Sequence, residues 1–228
     1  MTSAAPGPGV DPARLTVAVL GGTGPQGRGL ARRLGMVGQR ILIGSRVSER
    51  AEAAAAPLRA AGLDVSGTDN AAAAEAADLV IVAVPYEGHR ELLVALAGAL
   101  AGKVVVDCVN PVGFDKLGAY PLPVEAGSAA QEAAAVLPAS RVVAAFHHVS
   151  AVLLEDASLD EVDIDILVLG DDREATDVVA ALAGRIPGMR GIYAGRLRNA
   201  GQVEALTANL ISINRRHKSH AGIRVTGV

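Results

Sequence analysis

The sequence predicts an α/β fold: a doubly wound, mainly parallel sheet with a small C-terminal α/β extension. Three observations carry that expectation. Strand-like and helix-like stretches alternate along most of the 228 residues, the arrangement that lays helices on both faces of a parallel sheet. An apolar run, Leu15, Val17, Val19 and Leu20, feeds into Gly22-x-Gly24-x-x-Gly27 and then into a helical pattern. That is the strand–turn–helix opening of a dinucleotide-binding, Rossmann-type unit. Hydrophobic residues make up 50% of the chain, enough for one large domain with a sizeable core.

The elements follow in order. The first strand spans residues 15–20 and its helix runs to Leu34; a second strand, RILIGSR, covers 40–46. An alanine-rich helix over 49–61 contains Pro57, which is expected to break it. Residues 63–65 form a short third strand, and a second alanine-rich helix over 70–77 leads into DLVIVAVP, a buried strand over 78–85. Apolar residues at helical spacing predict a helix over 88–100, followed by the strand KVVVDCVNP over 103–111. The Gly- and Pro-rich stretch 112–127 reads as a loop. A helix over 129–136 precedes the strand RVVAAFHHV at 141–149. The acidic segment 155–165 then alternates into ILVLG, the pattern of a more exposed strand. A helix over 173–185 and a short strand over 189–194 come next. The last helix, 200–216, carries Val203, Leu206, Leu210 and Ile213 on one face.

The glycine motif has a chemical reason. Gly22 permits the tight turn, Gly24 lets the backbone approach a pyrophosphate, and Gly27 lets the helix pack against the strand. The helix N-terminus offers free N–H groups and a partial positive charge to the phosphates. The second strand selects the dinucleotide. An NAD site usually ends this strand in Asp or Glu, which accepts from the ribose 2′-hydroxyl. Here the strand ends Gly44-Ser45-Arg46, and Arg50 lies one helical turn beyond. Ser45, Arg46 and Arg50 are donors suited to a 2′-phosphate, so the expected cofactor is NADP(H). Basic residues at a helix start oppose its dipole, which itself calls for a reason.

Composition narrows the rest. A net charge of −3 gives no electrostatic case for nucleic acid or an anionic membrane as partner. One cysteine, Cys108, forms no internal disulfide and fits a cytoplasmic location. The N-terminus lacks the apolar core of a signal peptide, and the longest apolar stretch, 92–109, is interrupted by Lys103 and Asp107. The strand ends gather Gly22, Ser45, Pro85, Asn110, His147 and His148 at the edge where α/β sheets bind ligands. Val84-Pro85 and Asn110-Pro111 are stiff turns there and are candidate cofactor contacts. No metal site is expected. His147 and His148, adjacent on a strand, point to opposite faces, and no HExxH, CxxC or nucleophile elbow occurs. None of Lys103, Lys116 and Lys218 sits on an interior helix facing the crevice. An acceptor that takes a hydride with little acid–base help suits such a site better than a simple ketone.

The residues also carry a family resemblance. VAVLGGTGPQGRGLARRL, ILIGSR with Arg50, Val84-Pro85, FHHVSA at 146–151, GDD at 170–172 and VEALTANLISIN at 203–214 stand in the order of the NADPH-dependent F420 reductases. The chain resembles that family over nearly everything after the tail. The resemblance implies reversible hydride transfer between NADP(H) and the deazaflavin coenzyme F420 as co-substrate. By that likeness the loop Gly22, Thr23, Gly24, Pro25, Gln26 and Gly27 binds NADP, with Thr23, Gln26, Ser45, Arg46 and Arg50 on its phosphates. The backbone near Ala151 orients the nicotinamide. His147, Val149 and Thr207 border the deazaflavin, His147 in a positioning role. It further implies a homodimer. Composition divides the chain into a Pro/Gly/Ala-rich disordered tail (1–13), an NADP-binding domain (14–150) and a smaller C-terminal domain (151–228), which by the resemblance borders the F420 site. The chain departs from the family pattern at His148, where a threonine is expected, and at Gly201 and Ala205. The basic end, Arg215, Arg216, Lys218 and Arg224, is a candidate to meet the acidic side chain of F420. Two other readings stay open: an NADP-dependent reductase of an imine or small carbonyl, and a non-catalytic NADP-binding sensor.

Overall fold

Strands gather on either side of the first one, and the order in which they are added reverses there. The computed structural model describes residues 11–228. Among them the elements are β1 (Thr16–Leu20), α1 (Pro25–Met36), β2 (Arg40–Ser45), α2 (Ser48–Ala60), β3 (Val65–Asp69), α3 (Asn70–Ala76), β4 (Leu79–Val82), α4 (His89–Leu100) and β5 (Val104–Asp107). They continue with β6 (Val112–Asp115), β7 (Gly118–Pro121), α5 (Ala129–Val136), β8 (Arg141–Ala144), α6 (Ala151–Glu155), β9 (Ile164–Gly170), α7 (Arg173–Ala183), β10 (Met189–Gly195) and α8 (Ala200–His217). The main sheet has the order β10-β9-β8-β5-β4-β1-β2-β3. Strands β1 to β5 and β8 run parallel. β9 is antiparallel to β8 and parallel to β10, so the C-terminal extension joins the same sheet with its direction reversed.

Alternation along each strand splits the core in two. Val17, Val19, Ile41, Ile43, Leu79, Ile81, Val104 and Val106 pack with Leu30 and Leu34 of α1 on one face. Ala18, Leu20, Val80, Val82 and Val105 pack with Leu93, Leu96 and Leu100 of α4 and with Ala129 and Ala133 of α5 on the other. Side chains on a strand alternate faces with period two, which is why buried runs of Val and Ile serve both. Each such buried side chain contributes about 1.5–3 kcal/mol.

Several expectations are corrected. The tail 1–13 falls mainly outside the described residues, and its end is ordered: Pro12–Arg14 forms a 3-10 turn capped by Asp11. Pro57 does not break α2. It is exposed, and the carbonyl it leaves without an N–H belongs to exposed Ala53, which water serves. The third strand lies at Val65–Asp69, a mostly polar edge strand in which only Val65 is buried. The stretch read as loop holds the antiparallel hairpin β6–β7, whose turn is set by Asp115 accepting from Leu117 N (2.7 Å) and Gly118 N (3.1 Å). The strand expected over 141–149 stops at Ala144. β9 is buried rather than exposed, because β8 and β10 flank it and α7 covers it. On α8 the buried face carries Ala200, Val203, Glu204, Ala208 and Leu210, while Ile213 is exposed. The one-turn helix α6 has no clear sequence signal. It is held by buried Arg33 of α1, which donates to the carbonyls of Leu153, Leu154, Asp156 and Leu159 at 2.7–3.1 Å.

Candidate functional site

The carboxyl ends of β1, β2, β4, β5 and β8 lie along one edge, with two pockets over them. The first, a cleft of ≈440 Å³, lies at the switch between β1 and β4. Its floor is the loop after β1. Gly21 there adopts a left-handed conformation, φ 71°, and a Cβ on it would stand 2.6 Å from Val84 Cγ1 and 2.8 Å from the Ala83 carbonyl. Gly21, not Gly22, is therefore the turn glycine. Gly22 instead allows backbone contact: a Cβ on Gly27 would lie 2.6 Å from Gly22 Cα, so α1 packs directly on the turn. Gly24 is the N-cap of α1 and has only the Gly21 carbonyl within reach of a Cβ, at 3.6 Å. Its outer side is open for a phosphate at the helix N-terminus.

The wall opposite comes from the end of β2. Ser45 is buried and its Oγ accepts from Val47 N (3.3 Å) at the start of α2. Arg46 and Arg50 are exposed, line the cleft, and form no ion pair among the described residues. Two free guanidiniums at the N-terminus of a helix repel its dipole. A dianionic 2′-phosphate would turn that local conflict into attraction. The open loop, the helix N-terminus and these two cations fit NADP(H). Val84 and Pro85 form the far rim. Asn70, at the first turn of α3, also lines the cleft; sequence reasoning missed it, and the Asp69 N-cap before it was the available signal.

The second pocket, ≈290 Å³, lies between the ends of β5 and β8 and the side of α8. Its wall is the strap 145–150. Phe146 is fully buried with φ 62°, left-handed for a residue with a side chain. Such a conformation costs about 1–3 kcal/mol and needs holding. Asn110 Nδ2 and Thr207 Oγ1 donate to the His147 carbonyl at 2.8 and 3.2 Å, and Gln26 Nε2 donates to the Phe146 carbonyl at 3.0 Å. The turn at Phe146 also changes where the histidines go. His147 and His148 lie in a turn beyond the end of β8, so strand alternation does not apply to them; both are buried and both residues border this pocket. Burial drives both imidazoles down to about 4, against the pull of Asp107 and the Val109 backbone on His147 and of Asp165 on His148. Both rings are neutral near pH 7. His148 Nε2 accepts from Leu167 N at 3.1 Å, continuing the ladder to β9 past the end of β8.

Val149, Ala151, Thr207 and Asn110 all line the second pocket, as does Gln26, which the sequence placed with the phosphates. Ser150, Val152, Leu210, Ile211, Asn214 and Ala221 complete it; Leu210, Ile211 and Asn214 lie in the 203–214 motif, but no site role was expected of them. Pro25 is the exposed first residue of α1. Of the basic end, Arg224 pairs with buried Asp165 (2.7 Å), which also takes Arg190, so it faces away from the role suggested for it. Arg215 and Arg216 line a separate groove of ≈540 Å³ beside the β6–β7 hairpin.

A buried polar cluster missed by sequence reasoning stands behind Asn110. His89 Nε2 meets Asp107 Oδ2 at 2.6 Å, and Asp107 Oδ1 accepts from Val109 N at 3.0 Å, which shapes the turn carrying Asn110. Burial lowers the His89 pKa, but Asp107 and Glu132 outweigh it and leave it raised. Glu204 accepts from Ala129 N and Ala130 N, capping α5 (2.9 and 3.1 Å). Burial pushes its carboxyl up to about 7, against those N–H groups. The cluster couples β5, α4, α5 and α8, the elements that deliver Asn110 and Thr207 to the strap.

Comparison with known proteins gives the family and the fold. The family described as NADP oxidoreductase coenzyme F420-dependent matches residues 16–111. The F420-dependent NADP reductase of Methanothermobacter marburgensis is 39% identical over 94% of this chain and 99% of its own length. That of Methanocaldococcus jannaschii is 41% identical over 94% of this chain and 99% of its own. A solved chain from Arthrobacter sp. FB24, 27% identical, superposes with a TM-score of 0.79 over 93% of this chain and 99% of that one. The imine reductase BcSIRED from Bacillus cereus BAG3X2, 18% identical, shares the fold, with a TM-score of 0.63 over 89% of this chain and 63% of that one.

Proposed function

This chain belongs to the F420-dependent NADP reductase family, and we propose that it moves a hydride reversibly between NADP(H) and F420 at the second pocket. It is an oxidoreductase, and NADP(H) and F420 are its co-substrates. The nucleotide's 2′-phosphate is assigned to Ser45, Arg46 and Arg50, its pyrophosphate to Thr23 and Gly24 over the N-terminus of α1, and its rim contacts to Val84 and Pro85. The first residue of α6, Ala151, borders the nicotinamide. His147, Val149 and Thr207 border the deazaflavin. When bound, F420 supplies a ring carbon that takes or returns a hydride.

One observation supports this acceptor above a simple carbonyl. The second pocket is lined by no carboxylate, lysine or arginine, and its two histidines are neutral near pH 7. The Thr207 hydroxyl and the Asn110 amide are committed to the His147 carbonyl. No carboxylic acid, ammonium or imidazolium in the wall stands ready to protonate an alkoxide or amide anion. What the residues do is position: they hold the strap, exclude water with Val149, Leu210 and Ile211, and present two flat faces to each other. The test is spectrophotometric. Purified protein with oxidised F420 should bleach the deazaflavin's visible band with NADPH and far more slowly with NADH. Tight NADPH binding with no bleaching would move the reading to an imine or carbonyl reductase or to a sensor.

The stretch 14–150 is assigned to the nucleotide and 151–228 to the acceptor side, the latter as an extension of the same sheet. A homodimer is proposed through the hairpin and the end of α8, where Phe114 and Leu117 are 69% and 95% exposed and share a groove with Ile211 and Ser212. Such a patch on a monomer is a usual mark of association; light scattering at the mass of one chain would remove that proposal. Among the described residues no helix is long and apolar enough to cross a membrane. The reducing cytoplasm is the proposed compartment, since Cys108, the chain's single cysteine, is a free and buried thiol.

A further inference from the structure

The strap 145–150 is held by side chains rather than by secondary structure. Among the described residues only Phe146 and Lys218 are non-glycine residues at positive φ, and Lys218 caps a helix, where that conformation is common. Phe146 has no such excuse. Three side chains clamp the carbonyls of Phe146 and His147, besides the His148 Nε2–Leu167 N bond that ties the strap to β9; two of them, Asn110 and Thr207, belong to the acceptor side of the site and hold the His147 carbonyl. The third does not. Gln26 is the second residue of α1, two positions after the Gly24 N-cap, and its side chain crosses to the Phe146 carbonyl at 3.0 Å. Its amide lines the second pocket and not the nucleotide cleft.

We infer that Gln26 is a positioning residue for hydride transfer, a latch that fixes the acceptor strap to the helix that binds the nucleotide phosphates. The inference rests on the F420 reading for its consequence, though not for its geometry. α1 sets where the pyrophosphate sits, and the strap sets where the acceptor ring sits. The two leave the sheet at different strands, the strap from β8 and α1 from β1, with β5 and β4 between them. Arg28 and Arg33 tie α1 to α6 beyond the strap, through Glu155 at 2.8 Å and the α6 carbonyls. Gln26 alone reaches the strained residue itself from α1. With the latch closed, donor and acceptor rings share one frame. With it open, each is still bound, but the distance between them wanders, and hydride transfer is steeply sensitive to that distance.

Two variants test this. Gln26→Glu keeps the length and sets a carboxylate oxygen against the Phe146 carbonyl, and Gln26→Ala removes the side chain. Three readouts are needed: NADPH affinity without F420, the single-turnover rate with both co-substrates saturating, and amide hydrogen exchange over 145–150 in the free protein. Both variants are expected to keep NADPH affinity within about threefold, to exchange the strap amides about tenfold faster, and to lose about tenfold in single-turnover rate. Unchanged strap exchange in both variants overturns the latch. So does a loss of NADPH affinity that equals the loss of rate, since Gln26 would then be a phosphate ligand. If the wild-type protein does not reduce F420, the proposed function fails on its own, and the exchange measurement still decides the latch.

Discussion

The two pockets at the sheet edge are built in opposite ways. The nucleotide cleft is made of backbone: a glycine turn, a helix N-terminus, and two exposed arginines left free at the start of α2. The acceptor pocket is made of side chains: a left-handed phenylalanine turn pinned by Gln26, Asn110 and Thr207, with neutral histidines in its wall. The first needs the ligand's charge to resolve its electrostatics. The second has its strap carbonyls held before anything binds, while both His147 ring nitrogens and His148 Nδ1 stand buried without a hydrogen-bond partner among the described residues. Mutations in the first should therefore change which nucleotide binds, and mutations in the second how well the rings meet.

The largest expected effect falls in the cleft. Arg46→Asp removes a charge-assisted contact and places a like charge beside the 2′-phosphate. The ratio of kcat/KM for NADPH over NADH should fall by about 100-fold or more, with F420 reduction by NADH preserved. A ratio that does not move would mean that the contrast between the two pockets has been drawn at the wrong residues.

A smaller effect is expected behind the acceptor pocket, at Glu204. Its carboxyl sits near 7 in the fold against an ordinary 4.5. The folded state thus keeps a proton that the unfolded chain has released across that window, and the stability this supplies is lost as pH rises from 4.5 through 7. Glu204→Gln lacks that slope. Chemical denaturation should show the wild type losing up to about 3 kcal/mol more than the variant between about pH 5 and about pH 8. Parallel curves would show that Glu204 is ionised in the fold and acts as a plain helix cap.

The smallest effect sharpens the contrast most. Thr207→Val removes one of two donors to the His147 carbonyl while keeping shape, a loss of about 1 kcal/mol. The KM for F420 should rise about fivefold while NADPH affinity stays put. An equal weakening of both would merge the two pockets into one unit.

Much of the fold was legible because its signals are local. The buried strands β1, β4 and β5 are runs of Val, Ile and Leu, and α1, α5 and α8 match the expected helices to within a few residues. The misses share a cause. β3 is polar at a sheet edge, the β6–β7 hairpin lacks alternation, Pro57 is tolerated only because it faces water, and β9 is buried by neighbours rather than by its own composition. Each depends on what lies beside the segment. In the site, Ser45, Arg46 and Arg50 were readable from one strand end, whereas His89, Asp107, Glu132 and Glu204 come together from four elements.

By itself the sequence determined the strand–turn–helix opening, the donors for a 2′-phosphate and the order of the parallel strands' helices, since these follow from contiguous residues and their periodicity. Only the tertiary structure decided that Gly21 rather than Gly22 makes the turn, because that depends on the approach of Val84. It also decided that His147 and His148 sit in a turn beyond β8 and that Gln26 serves the strap. The three clamps on that strap lie 120, 37 and 60 residues from the carbonyls they hold. No local pattern encodes such contacts; they exist because the sheet brings the ends of β1, β5 and β8 to one edge and α8 across it.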